Sequence, residues 1–364
     1  MNCFRSLILL ALLSLVAPIA AQTTRNDLSL IRVDKSANFA YWNRDAQSLQ
    51  HLKDFVAHVT DPNGKDFVPV SERIAVFDVD GTMICETAPY YFNWLLFFNR
   101  FLHDPSFHPD PADRAWAQEV EEYVTVHHKA RSSDWGPKQQ LLQAKGFQGL
   151  TQSEMFDYVN GFVDTASVRG LSPLTWGTAL YWPMIEVVSY LLANDFQVYL
   201  CSGVDRDICR PLVCDICHIP YNHVISSDVD YVLEGQAAQG QWSEIADAES
   251  YVYTPNERVL RGSLRQLVTA SNKVTYLTRE LGVKPILAWG NSSGDFPMFH
   301  HVMLDNPRPH IVFCILCDDV ERELGNLQKA DKCKNACLDN GWIPVSMRLD
   351  WSTIYGPSVH PISK

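Results

Sequence analysis

The sequence predicts an α/β protein built on a parallel sheet, with a helical segment inserted between the first two strands. Four short apolar runs indicate buried strands, at residues 74–77, 197–200, 285–289 and 311–316. Continuous apolar runs with β-branched residues are typical of strands covered on both faces. Helical patterns at 184–193 and 273–281 precede the second and third runs, and this alternation indicates parallel strands joined by helices.

The inserted segment, residues 86–181, is too long for an ordinary connection. It contains helix-like stretches at 90–102, 112–128 and 153–166. We therefore expect a helical cap domain, with the core formed by residues 71–85 and 182–364. Surface helices without a role in any site are the alternative.

Residues 22–70 form a predicted N-terminal helical extension. Its residues 46–59 have apolar side chains at helical spacing, and residues 61–64 (DPNG) end that pattern as a turn.

The first residues resemble an export signal. Arg5 provides a positive charge, residues 7–16 are almost entirely apolar, and residues 20–21 are small alanines suited to cleavage. The apolar run is shorter than the roughly 20 residues that span a bilayer. We expect residues 1–21 to be a signal peptide, and a periplasmic or secreted protein without a stable membrane anchor.

The charge balance disfavours nucleic acid as a partner. The formal net charge is −12 and the isoelectric point is near 5.4, whereas proteins that bind a phosphate backbone need a basic surface.

Cysteine usage depends on this compartment. Removal of Cys3 with the signal would leave nine cysteines, and an oxidising compartment favours disulfides between them. We expect Cys85 or Cys201 to stay unpaired, since each lies in an apolar run. Iron–sulfur or zinc binding by the clustered cysteines, which begin at Cys209, is disfavoured by the same compartment argument.

Two carboxylates directly follow the first strand, in residues 78–82 (DVDGT). In open α/β sheets, ligands bind at the carboxyl ends of the strands. Neighbouring carboxylates favour a hard cation, which prefers oxygen ligands. Asp78 is a candidate nucleophile towards phosphorus, and Asp80 a candidate general acid and base. An EF-hand is excluded because its fifth and sixth positions would be Thr82 and Met83.

Three further pieces accompany this motif. Ser202 and Gly203 follow the second strand, where a hydroxyl and backbone N–H groups can bind phosphate oxygens. Lys273 begins a helical pattern and can pair with Asp78. Asn291 and Asp295 follow the third strand and offer oxygens to a metal. Each piece is weak alone, because Ser-Gly usually marks a turn and a single lysine usually lies on the surface.

A different enzyme class explains part of the same sequence. Residues 290–294 (GNSSG) match the G-x-S-x-G elbow of serine carboxyl esterases, with Ser292 as the nucleophile and Asp318 and His360 downstream. This alternative leaves the two carboxylates after the first strand without a role. A non-catalytic binding protein that keeps the fold is the other alternative.

In this order, the four pieces resemble the signature motifs of the haloacid-dehalogenase superfamily. The sequence is most similar to a phosphoserine-phosphatase-like branch of exported bacterial hydrolases. The resemblance extends beyond the motifs to residues 42–43, 66–69, 318–323, 341–342, 346–347 and 350–351. It implies a three-layer Rossmann-like core with a parallel sheet, an inserted helical cap and one Mg²⁺.

The resemblance also assigns roles. Mg²⁺ would be held by Asp78, the backbone carbonyl of Asp80, Asn291 and Asp295, the last through water. Ser202, Gly203 and Lys273 would hold the phosphoryl group, and Glu86 would be a cap-proximal substrate contact. The chain differs from many relatives in having Asn291 where they have aspartate, which removes a negative charge. The sequence thus predicts an exported Mg²⁺-dependent phosphatase acting on a small phosphorylated substrate through an aspartyl-phosphate.

Overall fold

A seven-stranded sheet lies at the centre of the computed structural model, which describes residues 22–86, 91–127, 129–245 and 251–362. The strands are β1 Ile74–Phe77, β2 Leu171–Ser172, β3 Gln197–Asp205, β4 Val224–Leu233, β5 Val259–Gln266, β6 Leu287–Gly290, β7 Ile311–Leu316, β8 Ile343–Ser346 and β9 His360–Pro361. The sheet order is β5-β4-β3-β1-β6-β7-β8, and β2 pairs with β9 separately. Every neighbouring pair in the large sheet is parallel except β4 and β5. The predicted α/β fold with a mostly parallel sheet is confirmed.

The sheet order changes direction at β1. This strand pairs in parallel with β3 on one side and with β6 on the other. All four of its residues are buried, as expected for a central strand of an α/β sheet. A change of strand order opens a crevice at the carboxyl ends of the strands, so residues that follow β1, β3 and β6 meet there.

Fourteen α-helices precede the first strand or connect the strands that follow in the described residues. They are α1 Arg25–Ser29, α2 Gln47–Thr60, α3 Phe92–Phe98, α4 Pro111–His127, α5 Trp135–Gly146, α6 Gln152–Thr165, α7 Trp182–Ala193, α8 Arg206–Cys209, α9 Asp215–Cys217, α10 Glu234–Ala238, α11 Asn272–Leu281, α12 Phe296–Met303, α13 Leu327–Asn340 and α14 Met347–Asp350. Short 3₁₀ and π turns join several of them.

Helices α3–α6, called here the cap helices, lie between β1 and β3 in the chain. Helices α3, α4 and α5 share an apolar cluster of their own, made with the turn that follows α3, whereas the buried side chains of α6 belong to the main core. The cluster is made by Trp94, Phe97, Phe98, Phe101, Ala117, Val120, Val124, Trp135 and Leu142. The loop that joins α5 to α6 pairs with the edge of β5. Gly149 N–H donates to the Arg261 carbonyl at 2.8 Å, and Arg261 N–H donates to the Leu150 carbonyl at 2.8 Å. The cap helices are thereby hydrogen-bonded to the sheet.

Segments near the two ends of the described chain contact each other. Trp42 and Trp351 form an isolated antiparallel bridge, and both side chains are buried. Asn43 N–H donates to the Asp350 carbonyl at 2.8 Å, and Ser48 Oγ donates to Asp350 Oδ2 at 2.8 Å. We call these contacts the terminal clasp. It places α2 beside α14.

The expected disulfides are absent. None of the nine cysteines in the described residues is in a disulfide, and all nine are buried. Several thiols instead donate to backbone carbonyls, including Cys317 to Asn326 and Cys333 to Asn291, each at 3.4 Å. The cysteines therefore behave here as small buried apolar residues, which a compartment argument could not anticipate.

The predicted signal peptide, residues 1–21, lies outside the described residues. Within the part of the chain that the structure describes, no helix combines the length and the apolar character needed to cross a membrane.

Candidate active site

The four predicted pieces meet at the carboxyl ends of β1, β3 and β6. Asp78 follows β1, and its N–H donates to the Trp289 carbonyl of β6 at 3.0 Å. A pocket of about 360 Å³ opens there. It is lined by the predicted residues Asp78, Asp80, Glu86, Ser202, Gly203, Lys273 and Asp295, and from the cap helices by Asn93, Trp94, Gln139 and Gln140. Asn291, the remaining predicted residue, is buried and donates to Glu86 at the pocket wall.

Lys273 joins two carboxylates at the bottom of this pocket. Its Nζ lies 2.6 Å from Asp78 Oδ1 and 2.6 Å from Asp295 Oδ1, and all three residues are buried. Burial alone would lower the pKa of Lys273, but the charges of Asp295 and Asp78 outweigh it and raise the pKa. Burial and the charge of Asp295 raise the pKa of Asp78 to about 7, although Lys273 opposes the change. The ammonium thus favours an ionised Asp78 in a buried position.

Asp80 lies in a tight turn that Gly81 makes possible. Gly81 N–H donates to the Ile84 carbonyl at 2.8 Å, and Gly81 has φ +74°, which favours glycine. Burial, followed by the charges of Asp78 and Glu86, raises the pKa of Asp80 well above its usual range. A carboxyl group that keeps its proton near neutral pH can act as a general acid.

Ser202 and Gly203 lie within β3 rather than after it, because the ladder to β4 continues through Ser202. The register then shifts before Asp205, and at this irregularity the Ser202 hydroxyl accepts from the Val204 N–H at 3.2 Å. The Gly203 carbonyl accepts from Gln140 of α5 at 2.8 Å. The candidate phosphate-binding residues therefore contact a cap helix directly.

Asp295 organises the loop after β6. Its Oδ2 accepts from the N–H groups of Asn291 and Ser292, both at 3.0 Å, and from Ser292 Oγ at 3.2 Å. With Oδ1 on Lys273, both oxygens of Asp295 have protein donors. Asp295 therefore holds the loop and the lysine together.

Ser292 does not show the contacts of a serine nucleophile. Its hydroxyl donates to Asp295 and accepts from the Gly294 N–H at 3.2 Å. Asp318 accepts instead from Ser346 and from the Arg348 N–H. Among the hydrogen bonds of the described residues, none joins Ser292 to a histidine. The arrangement does not favour the esterase alternative.

Lys329 is a site residue that the sequence did not reveal. It lies in the first turn of α13, and its Nζ is 2.6 Å from Glu86 Oε1 and 2.5 Å from Glu86 Oε2. Glu86 Oε2 also accepts from Asn291 Nδ2 at 2.9 Å. No local pattern marks Lys329, since only the position of α13 against β7 brings it to Glu86 at the pocket wall.

The oxygens and charges at the site fit a divalent cation. Asn291 Oδ1 and Asp80 Oδ1 are buried and have no hydrogen-bond partner among the described residues. With Asp80 protonated, three carboxylates and two ammonium groups leave a formal excess of one negative charge, from Asp78, Glu86 and Asp295 against Lys273 and Lys329. No group of three His, Cys, Asp or Glu in the described ranges has ligand geometry. The fit therefore depends on an amide and a backbone carbonyl as well as on carboxylates, which Mg²⁺ accepts.

The sequence matches no protein-family model, and no curated protein matches it. Solved structures do match, each at 13% identity. A conserved functionally unknown protein from Anaerococcus prevotii DSM 20548 has a TM-score of 0.50 over 84% of this chain and 94% of its own. A phosphoserine phosphohydrolase-like protein from Francisella tularensis subsp. tularensis SCHU S4 has a TM-score of 0.35 over 67% of this chain and 87% of its own. Cytosolic 5′-nucleotidase IIIB bound to cytidine has a TM-score of 0.46 over 86% of this chain and 90% of its own. At this identity, the match to the Anaerococcus prevotii protein shows a shared fold alone, which the mostly parallel seven-stranded sheet identifies as α/β.

Proposed function

We propose that the protein is a Mg²⁺-dependent phosphatase of the haloacid-dehalogenase superfamily that hydrolyses a small phosphate monoester through an aspartyl-phosphate on Asp78. The observation that carries this proposal is the position of Lys273, whose ammonium contacts both Asp78 and Asp295 at the switch point of the sheet. We further propose that residues 1–21 direct export, so that the enzyme acts in the periplasm or outside the cell.

In the first step, a carboxylate oxygen of Asp78 attacks phosphorus while the bond from phosphorus to the ester oxygen breaks. Asp80 gives its proton to the departing oxygen, in keeping with its raised pKa. Ser202, Gly203 and Lys273 hold the phosphoryl oxygens. Because Lys273 is buried, its charge acts at full strength where negative charge develops.

In the second step, Asp80, now ionised, takes a proton from water that attacks phosphorus. The bond between phosphorus and Asp78 breaks, and the Asp78 carboxylate is regenerated with release of phosphate. Mg²⁺, held by Asp78, the Asp80 carbonyl and Asn291, and by Asp295 through water, would neutralise charge on the phosphoryl oxygens.

The test is an assay of residues 22–364 on p-nitrophenyl phosphate and on p-nitrophenyl acetate, with Mg²⁺ or with EDTA. We expect phosphate release that EDTA abolishes and Mg²⁺ restores. Metal-independent acetate cleavage that Ser292→Ala removes, without phosphatase activity, would overturn the proposal.

Asp78→Asn tests the nucleophile. An amide cannot form the aspartyl-phosphate, so we expect turnover to fall about 1,000-fold or more with an unchanged circular dichroism spectrum. The matched control is Asp195→Asn, an exposed carboxylate in a surface ion pair with Lys35, which should keep full activity. Full activity in Asp78→Asn would refute the assignment.

A further inference from the structure

We propose that Glu86, held by Lys329, is a positioning residue that fixes the orientation of the Asn291 amide, so that Asn291 Oδ1 is available to the cation. This inference rests on the proposed Mg²⁺ site. It assigns to Glu86 and Lys329 a role in metal affinity rather than in contact with the substrate.

The first observation is the hydrogen bond that Asn291 makes through its side chain. A carboxamide has a donor end and an acceptor end, and rotation by 180° exchanges them. Asn291 Nδ2 donates to Glu86 Oε2 at 2.9 Å, while Asn291 Oδ1 is buried without a partner in the described residues. An ionised carboxylate only accepts hydrogen bonds. Glu86 therefore forces the amide to present Oδ1, the atom that can bind a cation, away from itself.

The second observation is the space that holds this pair. A Cβ on Gly81 would lie 1.8 Å from Asn291 Nδ2 and 2.8 Å from Glu86 Oε2. The turn after Asp80 thus leaves room for the amide and the carboxylate together. The hydrogen bond between Asn291 and Glu86 is enclosed by the same turn that carries the candidate acid.

The third observation is the anchoring of Glu86. Its side chain is 11% exposed, and both of its oxygens are bonded to Lys329 Nζ, whose side chain is 23% exposed. A largely buried carboxylate is costly unless it is paired, and Lys329 provides that pairing. Because protein donors occupy both oxygens, Glu86 is bound as a fixed support and not as a free contact for the substrate.

Charge completes the argument. Asn291 brings no charge to the cation, and Glu86 lies one hydrogen bond further away. An aspartate at position 291 would place a second carboxylate against Glu86, where like charges repel. The neutral amide and the carboxylate behind it therefore form a matched pair, and exchanging their chemistry should preserve the site.

The test measures Mg²⁺ binding by isothermal titration calorimetry without substrate, on residues 22–364 carrying Glu86→Gln, Asn291→Asp, both changes, or Lys329→Met. The control is Glu72→Gln, which removes a carboxylate paired with Arg308. Glu72 lies just before the start of β1, whereas the site lies after the end of that strand. Melting temperatures without metal show whether each variant folds.

We expect Glu86→Gln to weaken Mg²⁺ binding about tenfold or more, as for other residues that support metal ligands. Asn291→Asp alone should not bind more tightly than the wild type. In the double variant, the new amide at position 86 can donate to the new carboxylate at position 291 and accept from Lys329, so we expect affinity within about threefold of the wild type. Lys329→Met, which releases Glu86 without replacing it, should also weaken binding.

The outcomes separate this inference from the proposed function. If the wild type binds no Mg²⁺, the proposed function fails and this inference fails with it. If the wild type binds Mg²⁺ and Glu86→Gln binds equally well, or if the double variant binds no better than Glu86→Gln, only this inference is overturned. Lys329→Met with wild-type affinity would overturn the anchoring step.

Discussion

At the scale of single residues, the geometry of the site depends on Gly81, which has no side chain. Gly81 combines a positive φ with the close approach of Asn291, so a Cβ there meets both backbone strain and a steric clash. The clash falls on the amide that we propose as a metal ligand. A change at Gly81 should therefore affect activity as well as stability.

We expect Gly81→Ala to lower phosphatase turnover at least about 100-fold, because displacement of a ligand by about 1 Å is enough for such a loss. The control is Gly282→Ala, since Gly282 has φ +67° but, among the described residues beyond its own stretch of chain, no atom lies within 4 Å of where a Cβ would be. That variant should lose about 1 kcal/mol of stability and keep its turnover. Steady-state kinetics and thermal melting of the two variants decide the matter, and equal turnover in both would contradict the prediction.

Most candidate site residues could be named from the sequence, whereas Lys329 could not. Asp78, Ser202 and Asn291 could be found because each lies in or directly after an apolar run that indicates a buried strand. Lys329 could not, because it follows a loop on a helix whose pattern resembles that of any surface helix. Its partner Glu86 is 243 residues away in the chain, and no local pattern carries that information.

At the scale of elements, a buried ion cluster joins the sheet to the cap helices. Arg261 of β5 is fully buried and pairs with Asp205 and Asp207 after the β3 irregularity. Gln152 of α6 donates to Asp207 Oδ1 at 3.1 Å. Burial is the main cause that raises the pKa of Asp205, and the charge of Arg261 opposes it. Asp205 therefore depends on Arg261 for its charge balance, whereas Asp207 also pairs with Arg210 at 2.8 Å.

We expect Arg261→Met to lower the free energy of unfolding by about 3–5 kcal/mol, because it leaves the buried Asp205 without a cation and Asp207 with Arg210 alone. Arg258→Met is the control on the neighbouring stretch of the chain. Arg258 is half exposed and pairs with Glu234 on the surface, so its loss should cost less than about 1 kcal/mol. Urea unfolding measures both values, and similar costs would show that the buried cluster adds nothing.

One carboxylate of helix α7, that of Glu186, anchors the segment that precedes α2. Glu186 is buried and accepts from the N–H groups of Ala40 and Tyr41, at 2.7 and 3.0 Å. Burial raises the pKa of Glu186 to about 7 from an ordinary 4.5, although these N–H donors and Lys53 lower it in part. The folded state therefore holds this proton more tightly than the unfolded state does.

The sign of the pH dependence follows from that difference. Between pH about 4.5 and about 7, the folded chain binds more protons at Glu186 than the unfolded chain, so stability falls as pH rises through this window. We expect a contribution of up to about 3 kcal/mol. It is measured as the change with pH in the difference between the unfolding free energies of the wild type and Glu186→Gln. A difference that stays constant from pH 4 to 8 would contradict it.

At the scale of the whole molecule, the buried cysteines make a countable prediction. Without disulfides, residues 22–364 should yield nine reactive thiols after denaturation without reductant. In the native state the reaction should be slow, because the thiols are buried and burial raises the pKa of Cys201, for example, to about 12. Thiol titration with Ellman's reagent gives both values. A denatured count of seven or fewer would indicate disulfides and favour the pairing expected for an oxidising compartment.

The fold was predictable where burial follows apolar runs and not where charges are buried in pairs. The strand β1 has the predicted bounds, and β7 does as well. The strand β4 was missed because Asp228 and Asp230 interrupt its apolar pattern. Both carboxylates are buried in the structure beside Arg206 and Arg265. Those partners lie on other elements, so the sequence of β4 alone resembles an exposed loop.

The terminal clasp constrains how this chain can reach its fold during synthesis. Asn43 contacts residues up to 308 positions later in the chain, so Trp42 has no bridging partner until synthesis has reached Trp351. The strands β1 and β3 are synthesised much earlier, and apolar surface that stays exposed in an incompletely folded chain is prone to aggregation. The apolar segment around Trp42 therefore stays without its bridging partner during most of this synthesis. A nascent chain stalled before residue 351 would expose this segment to chaperones and proteases.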